Sequence, residues 1–233
     1  MEYSKIDKLG VNPSLLGFGC MRFPKKEDGT IDEVEAERML DHAIESGVTY
    51  IDTAYPYHDG ESEPFVGRVL KKYKRKDYYL ATKLPMFKID SLQQAKDIFE
   101  EQMKRLDVDY VDFYLLHALN KDTWKKVIDL NIIPYCEELK KQGRIKNFGF
   151  SFHDDYEVFE EIINYRDWDF CQIQLNYIDT DIQAGMKGYK LTEEKNVPLV
   201  IMEPIKGGTL ASFSEDIEQI YKNYDSSKSI ASW

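Results

Sequence analysis

The chain is poor in cysteine: Cys20, Cys136 and Cys171 are the only three in 233 residues. An odd number of widely spaced thiols makes no disulfide framework and no paired-cysteine metal spacing. Long apolar runs are also missing. No stretch reaches 18 apolar residues and Met1–Asp7 is polar, which argues against a membrane-spanning helix and a secretory leader. A reducing cytoplasm is the simplest expectation. Positive charge is the third shortage. Lys and Arg number 31 against 42 Asp and Glu, for a net charge of −11. Such a chain repels phosphate backbones, so no nucleic-acid partner is expected. Finally, no G-x-G-x-x-G follows a strand. The phosphate fingerprint of a doubly wound dinucleotide fold is therefore missing.

What is present is a soluble composition, 42% hydrophobic and 31% charged, with two hydrophobic periods that alternate without a linker. The strand-like stretches are Leu15–Met21, Val48–Ala54, Asp77–Leu84, Tyr110–Leu116, Arg144–Ser151, Asp169–Leu175 and Val197–Glu203. Between them, helical spacing runs from a capping box at Thr30–Glu33 to Gly47, then over Glu63–Tyr73, Ser91–Leu106, Pro134–Gln142, Asp154–Tyr165 and Ile182–Lys195. Asp225–Ser227 reads as one more helix start, with Ile230–Trp233 as its first turns. Strands alternating with helices imply right-handed βαβ units and a parallel sheet. Without the Rossmann fingerprint, the expectation is a (β/α)8 barrel. It holds about seven of the eight units and forms one domain over residues 1–233. Seven parallel strands leave the first and last with open edges. Self-association through those edges, or a terminal helix rearranged to cover the gap, is expected.

In such a barrel the chemistry sits where strands end. Strand two ends in Asp52, with Tyr57 five residues on. Strand three ends in Thr82-Lys83, strand four in His117 and strand five in Ser151, with His153 beyond. Strand six contains Gln172 and Gln174, and strand seven ends in Glu203. Alone, each has an ordinary explanation: a solvated lysine, a turn aspartate, a hydrogen-bonded histidine. Together they put an acid, a cation, an imidazole and a phenol at three consecutive strand ends. A phenol with pKa near 10 is a poor acid at neutral pH. A nearby ammonium stabilises the phenolate and lowers that pKa, and a carboxylate can hold the ammonium in place. An imidazole can donate to a substrate oxygen. The set suits proton transfer to a carbonyl oxygen. A metal-dependent barrel enzyme, with His117, His153 and Glu203 drawn as ligands, would leave Tyr57 and Lys83 unexplained.

These stretches resemble the aldo-keto reductase family, in a bacterial or archaeal branch. The most specific are "YIDTAYPYHDGESE" (50–63) and "RLDVDYVDFYLLH" (105–117). "YLATKLP" (79–85), "GRIKNFGFSFH" (143–153) and "CQIQLNYID" (171–179) follow in order. The resemblance implies reduction of an aldehyde or ketone with NADPH, or NADH, and no metal. It assigns Tyr57 as proton donor, Lys83 as the group that lowers its pKa, Asp52 as the partner of Lys83, and His117 as the group that orients the carbonyl. It implies a cofactor held near Ser151 and Gln172 and lined by Gly19, Cys20, Met21, Asp52, Met202, Glu203, Pro204, Ile205 and Gly207. Two positions depart from the family pattern. Phe152 stands where many members have Asn, and Met202 where an aromatic often stacks on the nicotinamide. The basic loop and helix that follow an eighth strand in the family have no counterpart in these residues. A catalytically incompetent truncated barrel, or a cofactor-binding or regulatory module, is the alternative reading.

Overall fold

The structure, a computed structural model, describes residues 1–232. Seven parallel strands form one sheet in sequential order: β1 (Gly17–Gly19), β2 (Tyr50–Asp52), β3 (Tyr79–Leu84), β4 (Val111–Leu119), β5 (Ile145–Phe152), β6 (Phe170–Gln174) and β7 (Leu199–Met202). Eight helices accompany them: α1 (Glu33–Glu45), α2 (Ser62–Leu70), α3 (Leu92–Leu106), α4 (Lys121–Asp129), α5 (Ile132–Lys141), α6 (Tyr156–Asn164), α7 (Gly185–Glu194) and α8 (Glu215–Tyr224). This is an incomplete (β/α)8 barrel, a curled sheet with helices on its outer face. Among the described residues, β1 pairs only with β2 and β7 only with β6. No helix among them is long and apolar enough to cross a membrane.

The period-two alternation of the strands sorts side chains to the two faces of the sheet. Tyr50, Ala81, Phe113, Leu115 and Phe170 form one cluster inside the curl, joined by Tyr79, Val200, Leu9 and Val11. Their neighbours along the strands, such as Ile51, Leu80, Leu116 and Cys171, join the larger cluster beneath the helices. Phe113 meets Phe170 edge-on at 5.0 Å and Tyr50 at 5.1 Å. Gly149 makes room for this packing: a Cβ there would lie 2.4 Å from Phe170 O and 2.7 Å from its ring.

Below that cluster the N-terminal segment folds into a hairpin, with Tyr3 bridging Ser14 and Ile6 bridging Val11 in antiparallel sense. It delivers Leu9 and Val11 to the interior and closes that end. Lys8 Nζ fixes it by donating to Asp167 Oδ1 (2.6 Å), Trp168 O (2.9 Å) and Asn196 O (3.1 Å). Nothing in the residue pattern of this polar segment announced that role.

Several local expectations are corrected. Helix α1 is capped by Asp32, whose side chain accepts from Glu35 N at 3.4 Å. Thr30 instead donates to Asp28 Oδ1. Asp28 offers it a closer turn partner than the helix does, and the expected capping box does not form. Helix α4 was not expected. It is nine residues long and buries only Thr123, Trp124 and Val127, and an Asn120–Thr123 capping box opens it. Helix α8, also unexpected, buries no residue. The helix expected from Asp225 is an Asx-type turn in which Asp225 Oδ1 accepts from Ser227, followed by a short 3-10 turn over Ile230–Ser232. The last position of that expectation, Trp233, lies outside the described residues.

Candidate active site

The C-terminal ends of the strands all open on one mouth of the curl, because every strand is parallel. Asp52 ends β2, and Lys83 stands on β3 one residue before its end. The register pairs Asp52 with Ala81, so Lys83 projects two residues above Asp52 on the same inward face. Its ammonium reaches back. Nζ donates to Asp52 Oδ1 (2.5 Å), Thr53 O (2.8 Å) and Tyr57 Oη (3.2 Å). An ammonium has three N–H groups, and all three are used. The Lys83 side chain is 1% exposed and that of Asp52 13%. A charge this deep is held by its acid partner rather than by water.

Tyr57 arrives on the turn after β2. Its ring lies 4.8 Å from Lys83 Nζ and meets the His117 ring edge-on at 5.7 Å. Phe87, from the turn after β3, packs on the other side of His117 at 5.7 Å. Burial raises the pKa of Tyr57, while the Lys83 ammonium pulls it down without cancelling that effect. The phenol therefore sits above its ordinary value, which corrects the sequence-based expectation of a net lowering. Lys83 acts in the expected direction, but desolvation of the ring outweighs it. For Lys83 itself, burial alone would depress the pKa, and Asp52 and Tyr57 together overcome it and hold the ammonium above its ordinary value. His117 is pushed down to about 3 by burial, then by Lys83 and His153, and its Nδ1 is enclosed without a partner. The imidazole is neutral at pH 7.

Two further groups meet this cluster from across the mouth. Gln172 Nε2 donates to Asp52 Oδ2 (3.2 Å), which fixes the amide and leaves Gln172 Oε1 buried and partnerless. Ser151 Oγ accepts from Ala118 N at 2.8 Å. That bond steadies a β-bulge where Ala118 adopts φ of 53°, and it leaves the serine's own O–H free to donate. Phe152 points away from the mouth, buried against Phe159 at 5.2 Å. His153 is on the rim, 3.2 Å from Gln183 Oε1.

The remaining expected residues follow β1 and β7. Cys20 is buried, while Gly19 and Met21 are exposed. Met202 is half-buried, and Glu203, Pro204, Ile205 and Gly207 are exposed. Glu203, Lys206, Gly207 and Gly208 all have positive φ, so this loop is sharply folded. Arg22, which sequence reasoning passed over, lies against it: a Cβ on Gly207 would be 3.5 Å from Arg22 Cζ. Its only signal was a position three residues past β1. Beside the loop, Lys206 pairs with Asp179 at 2.9 Å, and Asn176 and Gln174 donate to the same carboxylate. Among the described residues no group of three or more His, Cys, Asp or Glu side chains converges as metal ligands do. His117, His153 and Glu203 therefore do not assemble into the ligand set drawn above.

With this geometry in hand, comparison with known proteins identifies the class. The sequence profile of the Aldo/keto reductase family matches residues 15–230. The chain belongs to the aldo/keto reductase family. It is 34% identical over 125 residues to "Aldo-keto reductase YhdN" of Bacillus subtilis, a match covering 50% of this chain and 38% of that protein. It is 29% identical over 219 residues to "Uncharacterized oxidoreductase YqkF" of the same organism, covering 90% of this chain and 67% of that protein. Among solved structures it superposes on the holo form of aldo-keto reductase AKR11C1 from Bacillus halodurans. The TM-score is 0.74 at 29% identity, with 92% of this chain and 71% of that one covered.

Proposed function

We infer that the protein is an oxidoreductase that reduces a small aldehyde or ketone to the alcohol with a reduced nicotinamide cofactor, Tyr57 giving the proton. One observation carries this reading. The Lys83 ammonium donates to the Tyr57 oxygen at 3.2 Å, so that oxygen is an acceptor toward Lys83 and its own O–H is left to donate into the mouth. The raised pKa of Tyr57 keeps the phenol protonated, which is the form a proton donor needs. As negative charge builds on the carbonyl oxygen, the Tyr57 O–H bond breaks and the proton passes to that oxygen. The phenolate left behind faces the Lys83 ammonium, which Asp52 holds in place. Neutral His117 supplies a second N–H to the same oxygen without competing for the proton. Water then returns a proton to Tyr57.

The residues present fit a nicotinamide dinucleotide. The partnerless Gln172 Oε1 suits an amide N–H, and the free Ser151 O–H suits an amide oxygen. Gly19, Cys20 and Met21 on one side, and Met202, Glu203, Pro204, Ile205 and Gly207 on the other, would line the rest. The Met202 thioether would serve as an apolar support for a ring face, and Arg22 beside Gly207 suits a phosphate. When bound, the reduced nicotinamide supplies the hydride to the carbonyl carbon. NADPH is the proposed cofactor and NADH the alternative. Three buried free thiols are in keeping with a reducing, cytoplasmic setting. The open strand edges, with Leu16 and Ile201 exposed nearby, favour self-association.

Assaying Tyr57→Phe against a panel of aldehydes tests the assignment. Turnover should fall by roughly 10²- to 10⁴-fold with nucleotide affinity retained, and unchanged turnover overturns it. The unpaired edges of β1 and β7 favour a second reading, a cofactor-binding module without turnover. Tight NADPH binding by fluorescence titration with no activity toward any carbonyl would select it.

A further inference from the structure

The turn that holds Tyr57 is conformationally costly. His58 and Asp59 sit at φ of 52° and 56°, and Gly60 follows at 96°. Two successive non-glycine residues in the left-handed region persist only where surrounding contacts impose it. Arg105, in the last turn of α3, supplies those contacts. Its guanidinium lies 4.2 Å from the Tyr55 ring centroid. Nη1 reaches Tyr55 O at 3.4 Å and Gly60 O at 3.5 Å, one carbonyl at each end of the turn. Each contact is long for a hydrogen bond, but both come from one planar fork. Nη2 donates to Glu101 Oε1 (2.7 Å), and Glu101 Oε2 accepts from Tyr55 Oη (2.9 Å). Gly60 fits this approach closely, since a Cβ there would be 3.3 Å from Nη1.

Behind the arginine lies a buried polar network. Glu63 on α2 is fully buried. Its Oε1 accepts from Thr82 Oγ1 (2.6 Å) and Gln102 Nε2 (2.9 Å), while its Oε2 faces Arg105 Nη1 at 3.6 Å. Gln102 Nε2 also donates to Lys83 O at 3.0 Å. Gly67 lets the two helices close: a Cβ there would meet Leu106 O at 2.6 Å and Arg105 O at 2.8 Å. One network thus grips the main chain of Lys83 and the turn that bears Tyr57.

We propose that Arg105 is a positioning residue: by clamping both ends of the 55–60 turn it sets the Tyr57 hydroxyl on the Lys83 ammonium. The kinetic side of the proposal rests on the carbonyl-reduction reading. The conformational side stands apart from it. The test compares Arg105→Lys with the double variant Arg105→Gln/Glu63→Gln by amide hydrogen exchange and by kinetics. The double variant leaves no unpaired buried charge, so it reads out even if Arg105→Lys fails to fold. In both, the amides of residues 55 and 57–61 should exchange at least about 10-fold faster than in the wild type, as a released local segment does, while those of β4 keep their rates. Turnover should fall roughly 10- to 100-fold, as expected for a displaced donor, with nucleotide affinity unchanged. If Arg105 merely neutralises Glu63, the double variant will exchange and turn over like the wild type, and the proposal is overturned. Unchanged exchange at 55–61 in Arg105→Lys overturns it as well. Should Tyr57→Phe keep full turnover, the functional reading fails, but the exchange data still decide the clamp.

Discussion

Two sides of the same sheet bury their residues very differently. On β3 and β4, Leu80, Leu115 and Leu116 are 0% exposed and Lys83 1%, whereas Ile201 on β7 keeps 36% and Leu16, just before β1, keeps 59%. All are strand or strand-end residues, and all but Lys83 are apolar. What differs is the number of neighbours. β3 and β4 have a strand on each side and helices behind them; among the described residues β1 and β7 each pair on one side only. Burial in a parallel sheet therefore depends on cover over its faces as well as on lateral pairing. The contrast also shows why the candidate site can keep an ion pair almost dry on β2 and β3, while the ion pair beside β7, Lys206 with Asp179, has its lysine 47% exposed.

Ion-pair removal should show the largest contrast. Lys83→Met leaves Asp52 uncompensated in the interior and should cost about 3–5 kcal/mol of stability. Lys206→Met should cost less, because Asp179, though only 8% exposed, still accepts from Asn176 and Gln174 when the lysine is gone. Urea unfolding of both variants measures the difference, and equal losses would break the comparison.

A smaller contrast is steric. Gly149→Ala drives a Cβ to 2.4 Å from Phe170 O and should destabilise by about 1–3 kcal/mol or more. Gly19→Ala meets nothing within 4 Å at a φ of −90° and should stay within about 0.5 kcal/mol of wild type. Thermal melts of the pair provide the check.

The gentlest probe is pH. His117 has a folded pKa pushed down to about 3 from an ordinary 6.5. Between those values the unfolded chain takes up a proton that the folded chain refuses. Stability should therefore fall as pH drops from 6.5 toward 3, by at most about 1.4 kcal/mol per pH unit from this group. His58, also lowered by burial and by Lys25, adds the same sign. Unfolding free energies of wild type and His117→Gln should converge as pH falls through this window. A constant difference would place His117 in a wetter setting than the closed side of the sheet implies.

The seven strands were legible because each is a short apolar run bounded by turn residues, and the observed strands fall within or beside the expected ones. The approach of Asp52, Tyr57, Lys83 and His117 was legible for a related reason: parallel strands bring their C-terminal ends to one mouth whatever their side chains. The Arg105–Glu63–Gln102 network was hidden. Gln102 lies on a helix whose polar residues read as solvent-facing, and only the crossing of α2 over α3 at Gly67 brings the three together. Helices α4 and α8 escaped notice although each carries an apolar stripe, Trp124, Val127 and Ile128 on α4 and Ile217, Ile220, Tyr221 and Tyr224 on α8; of these only Trp124 and Val127 are buried.

The sequence by itself determined the type and order of the seven strands and of six of the helices, since hydrophobic period and turn chemistry are local properties. The state of the site was decided by tertiary structure. A lysine near a tyrosine predicts a lowered phenol pKa, yet Tyr57 is raised, and His117 is held neutral far below its usual range. Both outcomes follow from desolvation, which depends on how many atoms from distant parts of the chain exclude water from a group. No local stretch of residues records that number.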